Sequence, residues 1–150
     1  MRIDSEIKLD YKDVLIRPKR STLRSRKHVS LERTYRFRNS HNEWTGIPIM
    51  ASNMDGVGTL KMHYVLSHHN LFTCAIKHYN EKDWDESWID PEMIALSVGT
   101  NMEDYTKAKS IIKTNKLKWI CIDIANGYSE HFVDFVRMVR KDFPKANIIA

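Results

Sequence analysis

The chain has 150 residues, 42% hydrophobic and 29% charged, the composition of one modest soluble domain. No apolar run reaches the roughly 18 residues that span a bilayer, and the N-terminal M-R-I-D-S-E lacks the apolar core of a secretory signal, so a cytoplasmic protein with no membrane partner is expected. The net charge of +5 is uneven: residues 1–40 hold 12 Lys and Arg against 5 Asp and Glu, and residues 41–150 hold 12 against 14.

Residues 1–46 read as a basic segment and residues 47–150 as repeating strand and helix units within one domain. I-P-I-M-A-S (47–52) reads as a buried strand and G-T-L-K-M-H-Y-V-L-S-H-H (58–69) as a helix with Leu60, Tyr64 and Leu66 among its apolar positions. L-F-T-C-A-I-K (71–77) is a second strand, Glu81 to Trp88 a short acidic helix, and M-I-A-L-S-V-G (93–99) a third strand. Asn101 is placed to cap a helix whose inner face is Tyr105, Ala108, Ile111 and Ile112. W-I-C-I-D-I-A (119–125) is a fourth strand. Ser129 opens a helix that turns Phe132, Val133, Phe135, Val136 and Val139 inward, Pro144 follows its end, and N-I-I-A (147–150) begins a fifth strand.

Continuous apolar strands are the mark of a parallel sheet covered on both faces. Their alternation with helices, about every 25 residues, means βα units. A (β/α) barrel is favoured over an open doubly wound sheet, because no G-x-G-x-x-G follows the first strand. Four units and a strand stub are the N-terminal half of a (β/α)8 TIM barrel, so the sequence is expected to be the front part of a longer protein.

In such barrels the functional groups stand where strands run into the following loops. Those ends here are S-N-M-D-G-V-G (52–58), K-H-Y (77–79), G-T-N (99–101) and D-I-A-N-G-Y (123–128). Asp55, Thr100, Lys77 and the histidines 68, 69 and 78 each also suit a turn, cap or surface role. Asp123 stands out as a carboxylate inside an apolar run; buried, it would need a partner, for which Lys77 is a candidate. Cys74 and Cys121 lie in apolar runs without metal-ligand spacing and read as buried structural thiols, with no metal site in this chain.

Five ordered motifs then resemble the GMP reductases of the IMP dehydrogenase/GMP reductase family: L-D-Y-K-D-V-L-I-R-P-K-R-S-T-L-R-S-R (9–26), P-I-M-A-S-N-M-D-G-V-G-T (48–59), K-H-Y (77–79), S-V-G-T (97–100) and I-D-I-A-N-G-Y-S-E-H-F (122–132). The short stretch from Trp88 to Met93 leaves no room for the regulatory domains that the dehydrogenase carries there. The resemblance implies a cytoplasmic homotetramer of barrels in purine nucleotide salvage, reducing GMP to IMP and ammonia with NADPH. It places Ser25, Arg26, Lys77, Asp123, Ile124 and Ala125 at the cofactor, the first two reaching a neighbouring subunit's. Lys77, Thr100 and Asp123 would support catalysis, and Ser52 and Met54 would touch the purine nucleotide. Ser52, Gly56 and Val98 stand where the family usually has Ala, Thr and Thr. The family's catalytic cysteine loop and its potassium site belong to the half beyond Ala150, so this chain by itself is expected to be inactive.

Two alternatives carry different expectations. One is an IMP dehydrogenase-like oxidoreductase fragment. The other is a non-catalytic protein that binds nucleic acid through its basic N-terminus. Against the latter, V-L-I-R-P-K-R interleaves apolar and basic residues without a recognisable nucleic-acid motif, so no nucleic-acid partner is expected.

Overall fold

Residues 5–150 are described by the computed structural model of the chain, and they fall into two units that divide between Ser30 and Leu31. The start of the basic segment, residues 1–4, lies outside the described residues. The N-terminal unit holds two single helical turns. Asp10 opens Tyr11–Asp13, with the Asp13 carboxylate accepting from the Asp10 N–H at 3.0 Å, and Ser25 opens Arg26–His28.

The second unit is built on a six-stranded sheet whose spatial order is the chain order. Strands β2 (Glu43–Ala51), β3 (Leu71–Ala75), β4 (Ile94–Val98), β5 (Trp119–Ile122) and β6 (Asn147–Ile149) run parallel. Strand β1 (Arg33–Arg36) joins β2 as an antiparallel hairpin, which ties residues 31–46 to the sheet. This hairpin is absent from the sequence reading because R-T-Y-R has no apolar pattern and is exposed throughout.

Helices α1 (Leu60–Ser67), α2 (Met102–Thr114) and α3 (Glu130–Asp142) pack on one face only. Along β5 the side chains alternate: Ile120 and Ile122 join the helix-side core with Tyr105, Ile112, Phe135 and Val139, whereas Trp119 and Cys121 join a second cluster with Trp44, Phe72, Cys74 and Ala95 that contains no helix residue. Sequential parallel strands with helices on one face are half of a (β/α) barrel. A doubly wound sheet would carry helices on both.

Several expectations need correction. The strand at 47–52 is not buried: Ile49 is 61% exposed and Met50 47%. β1 covers only Glu43–Gly46, so the second half of β2 is a sheet edge, and the register jumps between Ile47 and Met50. Pro48 falls in that jump, where its missing N–H does no harm. The acidic helix shrinks to one turn, Glu81–Trp84. Phe132, Phe135 and Val139 of α3 are buried as expected, but Val133 is exposed and Val136 half-buried, because a 13-residue helix on a single sheet face buries a narrow stripe.

On α1 the buried positions are Leu60 and His63, and Tyr64 is exposed. The His63 ring is enclosed beside Trp88, and its Nε2 accepts the Asp90 N–H at 3.1 Å. Burial lowers its pKa below the usual 6.5, against the opposing charge of Asp90. The folded state therefore resists a proton that the unfolded chain accepts, and stability falls as pH drops below 6.5. We expect the urea midpoint to fall between about pH 8 and about pH 5 and His63→Gln to flatten that fall, since the amide keeps an acceptor but does not titrate. Equal slopes in both proteins would exclude His63 as the source.

Candidate functional site

The C-terminal ends of the parallel strands form one rim, and backbone contacts set its height. After β2 the chain turns back on itself through Gly58 N–H to Met54 O at 2.9 Å, and the Gly58 carbonyl accepts from Ile76 N–H at 2.9 Å. This presses the loop onto the end of β3, where a side chain at Gly58 would meet the Cys74 carbonyl at 2.2 Å. Thr59 then caps α1 through Met62 N–H, and the Tyr79 hydroxyl accepts from Leu60 N–H at 3.1 Å, binding the loop after β3 to the start of α1. Asn101 caps α2 by accepting from Glu103 N–H at 2.8 Å and Asp104 N–H at 3.3 Å. Asp123 N–H donates to Val98 O at 3.0 Å, which extends the β4–β5 ladder to the rim itself.

Lys77, Thr100, Asp123, Ile124 and Ala125, from the ends of three different strands, line one cavity of about 540 Å³ together with Gly99, Asn101 and Asp104. A smaller pocket of about 110 Å³ adjoins it, sharing Lys77 and Asp123 and adding Asn53, Asp55, His78 and Ser97. Ser97, buried beside Cys121 on the neighbouring strand, forms part of that pocket's wall.

Asp123 departs from its reading in two ways. It is exposed, because the covered part of β5 ends at Ile122 and the next residue opens onto the rim. Its partner is Asn53, whose Nδ2 donates to Oδ2 at 2.9 Å; Lys77 shares the cavity walls, but no ion pair joins the two. Asn53 stands between Ser52 and Met54, and its amide type in a strand-end loop was the available signal. Asp104, Asn101 and Ser97 were likewise not read as site residues.

Ser52 and Met54 are exposed on the loop after β2, and neither lines the two pockets. Ser25 and Arg26 belong to the N-terminal unit, where the Ser25 hydroxyl accepts from Lys27 N–H at 3.3 Å and the Arg26 side chain is exposed. Among the described residues no three His, Cys, Asp or Glu side chains gather as a metal site, and no helix is long and apolar enough to cross a membrane. A separate groove of about 260 Å³ on the open face, lined by residues such as Tyr35, Phe37, Trp44, Phe72 and Trp119, is apolar and offers no converging polar groups.

Against this geometry the sequence comparisons are decisive. The chain is 51% identical over 154 aligned residues to GMP reductase 1 of Homo sapiens, a match covering 99% of the chain and 45% of the human protein. It is 49% identical to the GMP reductase of Caenorhabditis elegans and 46% identical to that of Tolumonas auensis. Along its whole length the chain is homologous to the N-terminal part of the GMP reductases. It spans a little under half the length of these relatives. No family model matches the chain.

Among solved structures, inosine 5′-monophosphate dehydrogenase from Legionella pneumophila superposes with a TM-score of 0.70 over 91% of this chain and 42% of the dehydrogenase. At 16% identity that likeness speaks to fold alone, and it agrees with the half barrel described above. The four strand-end motifs lie on the rim that bears these two pockets.

Proposed function

We propose that this chain forms the cofactor side of a GMP reductase site, taking NADPH in the rim cavity for the reductive deamination of GMP to IMP and ammonia. The observation that carries this reading is the convergence of Lys77, Thr100, Asp123, Ile124 and Ala125 on one cavity. The donor set suits the ligand: a carboxylate for ribose hydroxyls or a carboxamide N–H, an ammonium, a hydroxyl, and an apolar wall.

NADPH, when bound, supplies the hydride. The Asn53 amide holds one oxygen of Asp123 and leaves Oδ1 for the ligand. Lys77, on the same wall, donates to an adjacent acceptor. Thr100 stands at the start of α2, where its hydroxyl positions the amine that departs. Arg26, with its paired N–H donors, suits the cofactor's phosphate in a neighbouring subunit of a homotetramer, and Ser25 accompanies it. Ser52 and Met54 belong to the purine nucleotide. The covalent step on the purine requires a nucleophile, which the resemblance assigns to a cysteine in the part of the reductase that this chain does not span; both cysteines here are buried.

Titration of the chain with NADPH, followed by nicotinamide fluorescence, should show saturable binding that Asp123→Ala weakens by about tenfold or more, the equivalent of about 1.5–3 kcal/mol for a hydrogen bond to a charged group. Undetectable binding at millimolar NADPH, or binding indifferent to Asp123→Ala, would overturn the reading. GMP-dependent NADPH oxidation by residues 1–150 alone should be absent. Turnover would show that the covalent step needs nothing beyond this chain.

A further inference from the structure

The chain contains nine asparagines, and only Asn126 is followed by glycine. Asn126 and Gly127 stand in the loop between β5 and α3, directly after the cavity residues Asp123, Ile124 and Ala125 and just before the Ser129 cap. Residues 126–128 are exposed. Asn126 Oδ1 accepts the Tyr128 N–H at 3.1 Å, which folds the side-chain amide back over the Asn126–Gly127 peptide and polarises its carbonyl. The Gly127 N–H has no hydrogen-bond partner among the described residues, and the residue has no side chain to shield it.

We propose that Asn126–Gly127 is a self-modifying site, where the chain converts its own side-chain amide to a carboxylate, and that this conversion weakens cofactor binding at the adjoining cavity. The second half of the proposal rests on the NADPH reading above; the first does not. The Gly127 nitrogen attacks Asn126 Cγ, so that an N–Cγ bond forms and the Cγ–Nδ2 bond breaks. The amide nitrogen leaves as ammonia, carrying the Gly127 proton, and a five-membered imide remains. One water then opens the imide at either carbonyl, giving an aspartyl or an isoaspartyl residue at position 126 with no change of oxidation state. Asn53, Asn70 and Asn101 precede Met54, Leu71 and Met102, whose side chains hinder the same attack.

Either product places a new negative charge one residue beyond the Ala125 wall of the cavity, which Asp104 and Asp123 also line. That charge opposes the phosphates of a dinucleotide. The isoaspartyl form also adds a methylene to the main chain between Ala125 and the Ser129 cap of α3, so the wall and the helix start no longer keep their spacing.

The test is incubation of the folded chain in mildly alkaline buffer, with digestion and mass spectrometry at intervals. The peptide holding Asn126 should gain about 1 Da and split into two isomers, while peptides holding the other asparagines stay unchanged over the same period. The chain unfolded in urea sets the rate of an unrestrained Asn-Gly pair, and the folded chain should react within about tenfold of it. A folded chain that stays intact at Asn126 while the unfolded one reacts would overturn the proposal. Gly127→Ala should slow the gain by about tenfold or more. It should fold normally, because an added Cβ would meet only the Phe132 ring, at 3.6 Å and 3.8 Å. Equal rates in parent and variant would also overturn the proposal. NADPH titrations then compare fresh with converted chain, and the converted chain should bind about threefold or more weakly, whereas Gly127→Ala incubated alongside keeps its affinity. Equal affinities in fresh and converted chain would overturn the link to the cofactor. A fresh chain that binds no NADPH would remove that link together with the NADPH reading, and the mass gain would still decide the modification site.

Discussion

Gly58→Ala is expected to cost about 3 kcal/mol or more, at the upper end of overpacking substitutions. The added methyl would stand 2.2 Å from the Cys74 carbonyl, 2.6 Å from the Ser52 carbonyl and 2.9 Å from the Asn53 Cα. All three neighbours are backbone, so no side chain can rotate away. The loop between β2 and α1 would have to lift from the end of β3, breaking the hydrogen bond from Ile76 N–H to Gly58 O. That movement carries Asn53 with it and removes the support of Asp123. Gly56 is the internal control. Its φ of +75° makes a side chain strained, but a Cβ there meets nothing within 4 Å. Gly56→Ala should cost only about 1–2 kcal/mol of backbone strain. Urea denaturation of both variants measures the difference, and the steric account fails should Gly56→Ala prove the more damaging.

Trp84→Ala is expected to remove about 3–5 kcal/mol, the range for a deleted buried tryptophan. Trp84 is 0% exposed and belongs to the helix-side core with Ile94, Leu96 and Ile111. Its turn, Glu81–Trp84, is the one regular element between the Lys77–Tyr79 rim segment and β4. The turn itself is held only by local bonds, such as Asn80 N–H to the Asp83 carboxylate at 2.7 Å. Without the indole, the connection has no deep anchor, so Lys77 should lose its position along with the stability. The Trp84 Nε1 has no hydrogen-bond partner. Trp84→Phe therefore forfeits no bond and should retain most of the stability. If Phe and Ala were equally damaging in denaturant, the role of Trp84 would not be the filling of space.

The sequence by itself determined the alternation of strands and helices, their parallel order, and the caps at Asn101 and Ser129. Each of these is written in residues close together in the chain. The apolar face of α2, Tyr105 with Ala108, Ile111 and Ile112, is legible for the same reason. The strand-end motifs were legible too, and those after β3, β4 and β5 supply the five residues that the rim cavity joins. What the tertiary structure decided rests on partners far apart. The β1–β2 hairpin has no apolar pattern and exists through pairing, including the stacking of Tyr35 on Trp44 at 6.3 Å. His63 became a core residue because Trp88 and the Asp90 N–H arrive from a later loop, and Tyr64, which hydrophobicity favoured, was left outside. Asp123 found Asn53, 70 positions earlier, through the curvature of the sheet. A strand pattern states which faces are apolar, but not which side chains meet across a curved sheet. The same geometry left Asp123 at an open rim and not in a core.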